Sequence, residues 1–324
     1  MKDLSALRGM PLTKLWLDDC TDLTDLSPLA EAKELIELTL PPNAKNFEFL
    51  RALPKLQRLR FMEKTSKPVA EFWKEYDARS WMQPLRDSGV TIKSSKQLPD
   101  GTWELDLTDA KDFSDLTLLK GAPITSLVLS KTAVTDLSPL RGMALKTLTL
   151  VETKVADLSP LQGMPLETLG GDRTKVSDLA ALKGMPIKSL RLGWTGVTNL
   201  EPLRGMPLQT LYLWGNRIKD LSPLRGMPLE DLWLGFDAGD LSVLRGMPLK
   251  KLKLHDCPAQ TDFSPLAESK ELTSLTLPAG AGNLEFLRAF PKLERIGYKE
   301  DWKNDGRPDK SAAEFWQEYD AAKK

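Results

Sequence analysis

Few residues in this sequence are equipped for covalent chemistry. His255 is the only histidine, and it stands two residues before Cys257. An imidazole beside a thiol is the raw material of a nucleophile pair, but one histidine leaves no second base and no His-rich metal site. The pair would point the same way only if a strand ran through both residues. Cys257 and its counterpart Cys20 instead occupy a position suited to a small side chain turned inward near backbone groups, and two cysteines make no disulfide framework. Asp136, Asp157, Asp178 and Asp220 form a ladder of single carboxylates without companion ligands, which reads as turn capping rather than a cation site. Gly170-Gly171 and the stretch 279–282 lack a phosphate-loop setting and read as loop. The expectation is therefore no catalysis, no metal and no cofactor. The remaining chemistry is that of binding, and its candidates are Asp172, Arg173, Arg191, Trp194, Tyr212, Trp214, Asp231, Trp233, Phe236, Lys253 and His255.

What positions those residues is a beat of glycines: Gly121, Gly142, Gly163, Gly184, Gly205, Gly226 and Gly246, spaced 21 residues five times and then 20. Around each the text runs roughly G-M-P-L-x-x-L-x-L-x-x-T-x-V-x-D-L-S-P-L-R. A unit this short cannot bury a core alone, so neighbouring copies must stack. The alternating x-Leu-x-Leu-x stretch predicts a short strand with both leucines inward, and successive copies predict one parallel sheet. Thr132, Thr153, Thr174, Thr195 and Asn216 follow as small polar groups able to bond the backbone where the chain turns away. Val134, Val155, Val176, Val197 and Ile218 return to the core. Only about ten residues are left for the outer wall, too few for an α-helix with its loops, so short 3₁₀ turns are expected there.

This Leu-x-x-Leu-x-Leu signature is that of a leucine-rich repeat. The fold class expected is an α/β solenoid with a concave parallel sheet, 3₁₀ turns on the convex side and helical caps. The phrase Asn216-Arg217-Ile218-Lys219-Asp220-Leu221-Ser222-Pro223-Leu224 resembles the repeats of internalin-type bacterial proteins. The Gly-Met-Pro-Leu junction and the Thr variant are similar to arrays in large planctomycete-type proteins, where such repeats are often attached to serine/threonine kinases. No kinase motif occurs in this chain.

The outward columns are not uniform along the array. Between the strand leucines they read Val128, Thr149, Gly170, Arg191, Tyr212, Trp233 and Lys253; just past the second leucine, Ser130, Val151, Asp172, Gly193, Trp214, Gly235 and His255; and one further, Lys131, Glu152, Arg173, Trp194, Gly215, Phe236 and Asp256. From about residue 172 they turn aromatic and charged, across roughly 20 Å of sheet at the usual strand spacing. Gly193, Gly215 and Gly235 leave room for rings to lie flat, with Arg173, Arg191, Lys253, Asp172 and Asp231 edging the cluster. Exposed aromatics with a charged rim have the composition of a protein-binding hot spot. The competing reading is that the rings stack across strands and stiffen the sheet.

A larger duplication overlies the beat. Residues 12–61 recur at 249–298, and Ala70–Ala78 recurs as Ala313–Ala321. The repeated Glu-Phe-Trp-x-Glu-Tyr segment predicts an amphipathic helix covering the last leucine layer, so 68–88 and 311–322 are read as capping helices. Residues 98–107 predict a turn and strand that open a fresh array, with Trp103 over its first layer. The organisation expected is 1–66, the end of a first array; 67–88, a capping helix; 89–120, a hairpin cap; 121–298, a second array; and 299–324, a C-terminal capping helix. Met1 falls within a repeat, which suggests a piece of a longer protein or a first layer covered by another molecule.

Lys+Arg and Asp+Glu balance at 45 each in 324 residues, so nothing global points to nucleic acid. No apolar run reaches the ~20 residues of a membrane span, and no signal peptide is evident. The reading is a non-enzymatic module that recognises a protein or peptide on its concave sheet, cytoplasmic or part of a larger protein. The alternatives are a glycan-binding solenoid and the regulatory or scaffold region of a signalling protein such as a kinase.

Overall fold

The computed structural model describes residues 2–61, 65–259, 261–301 and 306–322. The chain divides into two compact units, residues 1–83 and 84–324.

The first unit carries strands β1 (Lys14–Trp16), β2 (Glu37–Thr39), β3 (Arg58–Arg60) and β4 (Lys67–Pro68), then helix α1 (Val69–Ala78) and a 3₁₀ turn at Ser80–Met82. The first three strands pair in parallel and β4 returns antiparallel to β3. Helix α1 turns Phe72 and Trp73 into the interior, where they pack with Phe47 and Tyr76. The segment read as one helix over 68–88 is broken. Arg79 leaves the α1 register, and a second short helix, α2 (Gln83–Asp87), lies at the division between the units. Pro84 suits a helix start, where its missing N–H costs nothing.

The second unit opens with an antiparallel hairpin, β5 (Ser94–Gln97) and β6 (Trp103–Asp106), and Trp103 is buried. Nine parallel strands follow, one per repeat: β7 (Ile124–Val128), β8 (Thr147–Thr149), β9 (Thr168–Gly170), β10 (Ser189–Arg191), β11 (Thr210–Tyr212), β12 (Asp231–Trp233), β13 (Lys251–Lys253), β14 (Ser274–Thr276) and β15 (Arg295–Gly297). After β15 the chain forms a small antiparallel pair, β16 (Glu300–Asp301) and β17 (Arg307–Pro308), and then helix α3 (Ala312–Ala321). Both units are leucine-rich-repeat arrays. Their outer walls are 3₁₀ turns of three to five residues, such as Ser138–Leu140 and Ser264–Glu268.

Each repeat is held by the same few contacts. The strand leucines stack in register, Leu127 on Leu148 on Leu169 on Leu190, and all four are fully buried. Asp136, Asp157, Asp178 and Asp220 each accept the backbone N–H two residues on at 2.8 Å, capping the 3₁₀ turn from just outside it. The prolines of these turns therefore take the second turn position, since Ser138, Ser159 and Ser222 hold the first. The beat glycines close each turn at φ between +72° and +77°, a conformation in which a Cβ is disfavoured by the backbone itself rather than by its neighbours. The threonine column turns inward as read: Thr132, Thr153 and Thr174 each donate a 2.7 Å hydrogen bond to the carbonyl three residues back. Cys257 sits in the same place, buried, with its Sγ 3.6 Å from the Gly235 carbonyl, and burial pushes its thiol up to about 12.

The duplicated stretches also share their surface ion pairs. Arg8–Glu31 and Lys55–Glu34 in the first unit correspond to Arg245–Glu268 and Lys292–Glu271 in the second. Arg51 pairs with Asp77 and covers the Trp73 ring, and Arg288 does the same with Asp320 and Trp316. One difference is local. α3 starts with a full capping box between Ser311 and Glu314, whereas α1 has Pro68 at that place.

If the buried threonine hydroxyl is a structural bond, Thr153→Val keeps the volume and loses only that bond. The expected loss is about 1 kcal/mol in a denaturant melt, with Thr153→Ser close to wild type.

Candidate functional site

The concave face of the second unit places one outward column in strict cross-strand order: Gly170, Arg191, Tyr212, Trp233 and Lys253. The column reads as a cation, two rings and a cation. Arg191 lies 5.4 Å from the centroid of Tyr212, and Lys253 lies 4.3 Å from the centroid of Trp233. Tyr212 and Trp233 meet edge to face, with centroids 5.9 Å apart. Cation–π contacts are worth about 0.5–1 kcal/mol at an exposed site such as that of Arg191 and about 2 kcal/mol at a covered one such as that of Lys253.

Two glycines set the next layer. A Cβ on Gly193 would fall 2.0 Å from the indole nitrogen of Trp214, and one on Gly215 would fall 2.6 Å from the ring of Trp194. The two tryptophans therefore lie on each other's neighbouring backbone, crossing at 86° with centroids 6.2 Å apart. Trp214 also stacks on Trp233 at 5.2 Å, and the Arg173 guanidinium lies 5.6 Å from its centroid. Gly235 differs: a Cβ there would strike the Asn216 carbonyl at 2.2 Å, so it serves backbone approach rather than a ring.

Carboxylates lie among these rings. Asp172 accepts the Gly193 N–H at 2.6 Å, faces the Arg191 guanidinium at 3.4 Å and takes a bond from the Trp214 side chain. Burial raises its pKa in spite of those partners. Asp231 accepts the Tyr212 hydroxyl at 2.8 Å, and burial raises both groups. His255 packs on Trp233 at 5.3 Å and stands 3.6 Å from both Asp256 and Glu300.

The eleven residues singled out from the sequence thus converge on one face, but not all as surface. Trp194 is 51% exposed, and Arg173 and Arg191 are exposed as well. Tyr212, Trp214, Asp231, Phe236, Lys253 and His255 are half-buried. Trp233 at 6% and Asp172 at 3% are buried, which corrects the expectation of a fully solvated aromatic patch with Asp172 on its rim. The rings pack on one another and on bare glycine backbone, so the inner ones are covered by their neighbours.

Two contributors, Arg217 and Glu300, were missed, and so was one contact of Phe236. Arg217 lies 5.9 Å from the centroid of Phe236. Phe236 itself reaches back across a repeat to Trp194, at 5.9 Å, because its repeat is the 20-residue one and the loop after β12 is shorter. That break in the beat was visible in the sequence and coincides with the aromatic centre. Glu300 had no such signal. It lies beyond the last repeat, yet its carboxylate is 3.0 Å from Lys253 and its side chain is only 3% exposed.

Among the described residues no group of three or more His, Cys, Asp or Glu side chains is placed to hold a metal ion. No helix of the described chain is long and apolar enough to cross a membrane. A groove of about 670 Å³ lies elsewhere in this unit, lined by Ser88, Thr91, Lys111, Asp112, Phe113 and Leu118 among others.

No family model matches the chain, and no curated protein does. Among solved structures it is similar to an internalin, inlF, from Listeria monocytogenes. The TM-score is 0.52 at 18% identity, covering 91% of this chain and 76% of that one. A second internalin of that organism, C2, gives a TM-score of 0.37 at 21% identity over 70% of this chain and 77% of its own. The leucine-rich-repeat ectodomain of a plant membrane receptor kinase from Arabidopsis thaliana gives 0.36 at 15% identity, over 87% of this chain and 36% of its own. The likeness to inlF is one of fold.

The raised pKa of Asp172 carries a signed expectation. Because the folded state holds the proton more tightly than the unfolded chain, stability falls as pH rises above the usual carboxylate range. Asp172→Asn keeps an acceptor for the Gly193 N–H without the buried charge. It should match or exceed wild-type stability at pH 7, and the difference should vanish at acid pH in paired denaturant melts.

Proposed function

We propose that this chain is a non-enzymatic recognition module that binds a protein or peptide on the concave face of its second unit, around Trp194. The observation that carries the reading is the exposure of that one ring. In an array whose strand leucines are sealed, Trp194 is left 51% exposed although Trp214 and Phe236 are within stacking distance. An exposed ring on a concave face, with Arg173, Arg191 and Arg217 set against the nearby rings of Trp214, Tyr212 and Phe236, has the make-up of an interface anchor. The lone histidine, engaged with Trp233, Asp256 and Glu300, supports a role without catalysis. The fold shared with inlF is compatible with recognition and adds no partner of its own.

Stacking as mere reinforcement predicts a different mutational pattern. Trp194→Ala should leave the melt near wild type while reducing capture of the partner from a lysate of the source organism by about tenfold or more. Trp233→Ala, which removes a buried ring, should destabilise by about 3 kcal/mol. If Trp194→Ala lowers stability as Trp233→Ala does and leaves capture intact, the rings serve the scaffold alone. Signal on a glycan array in place of protein capture would assign the face to sugars.

A further inference from the structure

The concave face already binds one carboxylate. Past the last repeat the chain folds back so that Glu300, on β16, reaches β13, two strands away from β15 where that segment began. Its carboxylate is buried at 3.0 Å from Lys253 and 3.6 Å from His255, and the Lys253 ammonium rests 4.3 Å from the Trp233 centroid. An extended segment of the chain thus delivers an acidic side chain to a cation that is seated on a ring.

The other end of the same column repeats the arrangement without the segment. Arg191 stands against Tyr212 as Lys253 stands against Trp233, in the same register and three strands away, ~14 Å at normal strand spacing. Its side chain is 52% exposed where that of Lys253 is 13%. The acidic group near it is Asp172, 3.4 Å from Nε. Arg173, 5.6 Å from the centroid of Trp214, is exposed as well.

We propose that the Arg191 end of the column receives a carboxylate from an extended acidic segment of a partner protein, laid on the face as the Glu300 segment is, with an adjoining apolar side chain on Trp194. The inference rests on the concave-face reading above and narrows it to a partner chemistry. Arginine suits this role because its planar fork can hold a carboxylate in two bonds while its face stays on the ring. A single-stranded nucleic acid would also use rings and cations. The Asp172 and Asp231 carboxylates among the same rings, and a chain of zero net charge, favour a peptide over a row of phosphates.

The test is selection from a random dodecapeptide display library on the whole chain, run in parallel on wild type, Arg191→Gln, Arg191→Glu and Trp194→Ala, with circular dichroism confirming each fold. The expected result is enrichment of Asp or Glu beside an aromatic or aliphatic residue, with the leading synthetic peptide bound about tenfold more weakly by Arg191→Gln. Arg191→Glu should turn the preference toward basic peptides. Acidic enrichment that survives both Arg191 variants, or enrichment of neutral or basic sequences on wild type, overturns the inference. So does oligo-dT binding with the same Arg191 dependence. If binders depend on Trp194 but not on Arg191, the acidic partner falls while the concave-face reading stands. If no peptide depends on either, both fall.

Discussion

The array depends on a backbone hydrogen bond made just beyond the strands. Asp109, Lys131, Glu152, Arg173 and Trp194 all hold positive φ, between 50° and 66°, and each donates its N–H to the carbonyl of the equivalent region one repeat on, at 2.8–3.0 Å. The left-handed turn bends the chain out of the sheet without interrupting the ladder, and the residue that follows then bonds back inward through Thr132, Thr153 or Thr174. Left-handed backbone costs a non-glycine residue on the order of 1–2 kcal/mol. The inter-repeat bond, made in each of these five copies, offsets that cost. From Lys131 through Glu152 and Arg173 to Trp194 the copies accordingly keep one length of 21 residues.

The same constraint explains why the rings gather where they do. A residue in the left-handed column projects over the next repeat, so Trp194 comes to lie on Gly215 and needs that position bare. Trp214, one place earlier in its own repeat, comes to lie on Gly193. The exchange works only as a set, and replacing either glycine by a residue with a Cβ would expel a ring. The 20-residue repeat has lost a residue between Leu234 and Asp240, and there Phe236 departs from the left-handed column and turns toward Trp194. Regular backbone supplies the platform, and the missing residue closes it.

Much of this was legible beforehand, for a definite reason. Stacking identical units makes periodicity a direct image of geometry, so Leu127, Thr132, Val134 and Asp136 reveal strand, inward bond, core return and cap from one copy. The convergence of the candidate residues followed from the same columns. Burial did not, because it depends on what lies above a residue as well as on its direction. Trp233 points outward and is nonetheless sealed by Trp214, Tyr212, His255 and Lys253. Glu300 was invisible for the opposite reason: it belongs to no column, and only the return of the chain over β14 brings it to Lys253.

Variation is confined accordingly. The terminal stretches keep their ion pairs, ring contacts and helix almost residue for residue between the two units, as Arg51–Asp77 and Arg288–Asp320 illustrate. Such pairs are surface features of small individual worth, and their joint retention reflects a duplicated block more than a demand of stability. The comparable position in the first unit to Lys253 is Trp16, which is 61% exposed on β1. One block has thus come to present a ring at a position where the other presents a cation engaged by Glu300. A solenoid allows this because each repeat contacts little beyond its neighbours. Outward residues can then change while the leucine layers beneath them stay the same, so the face can acquire a new chemistry without a new fold.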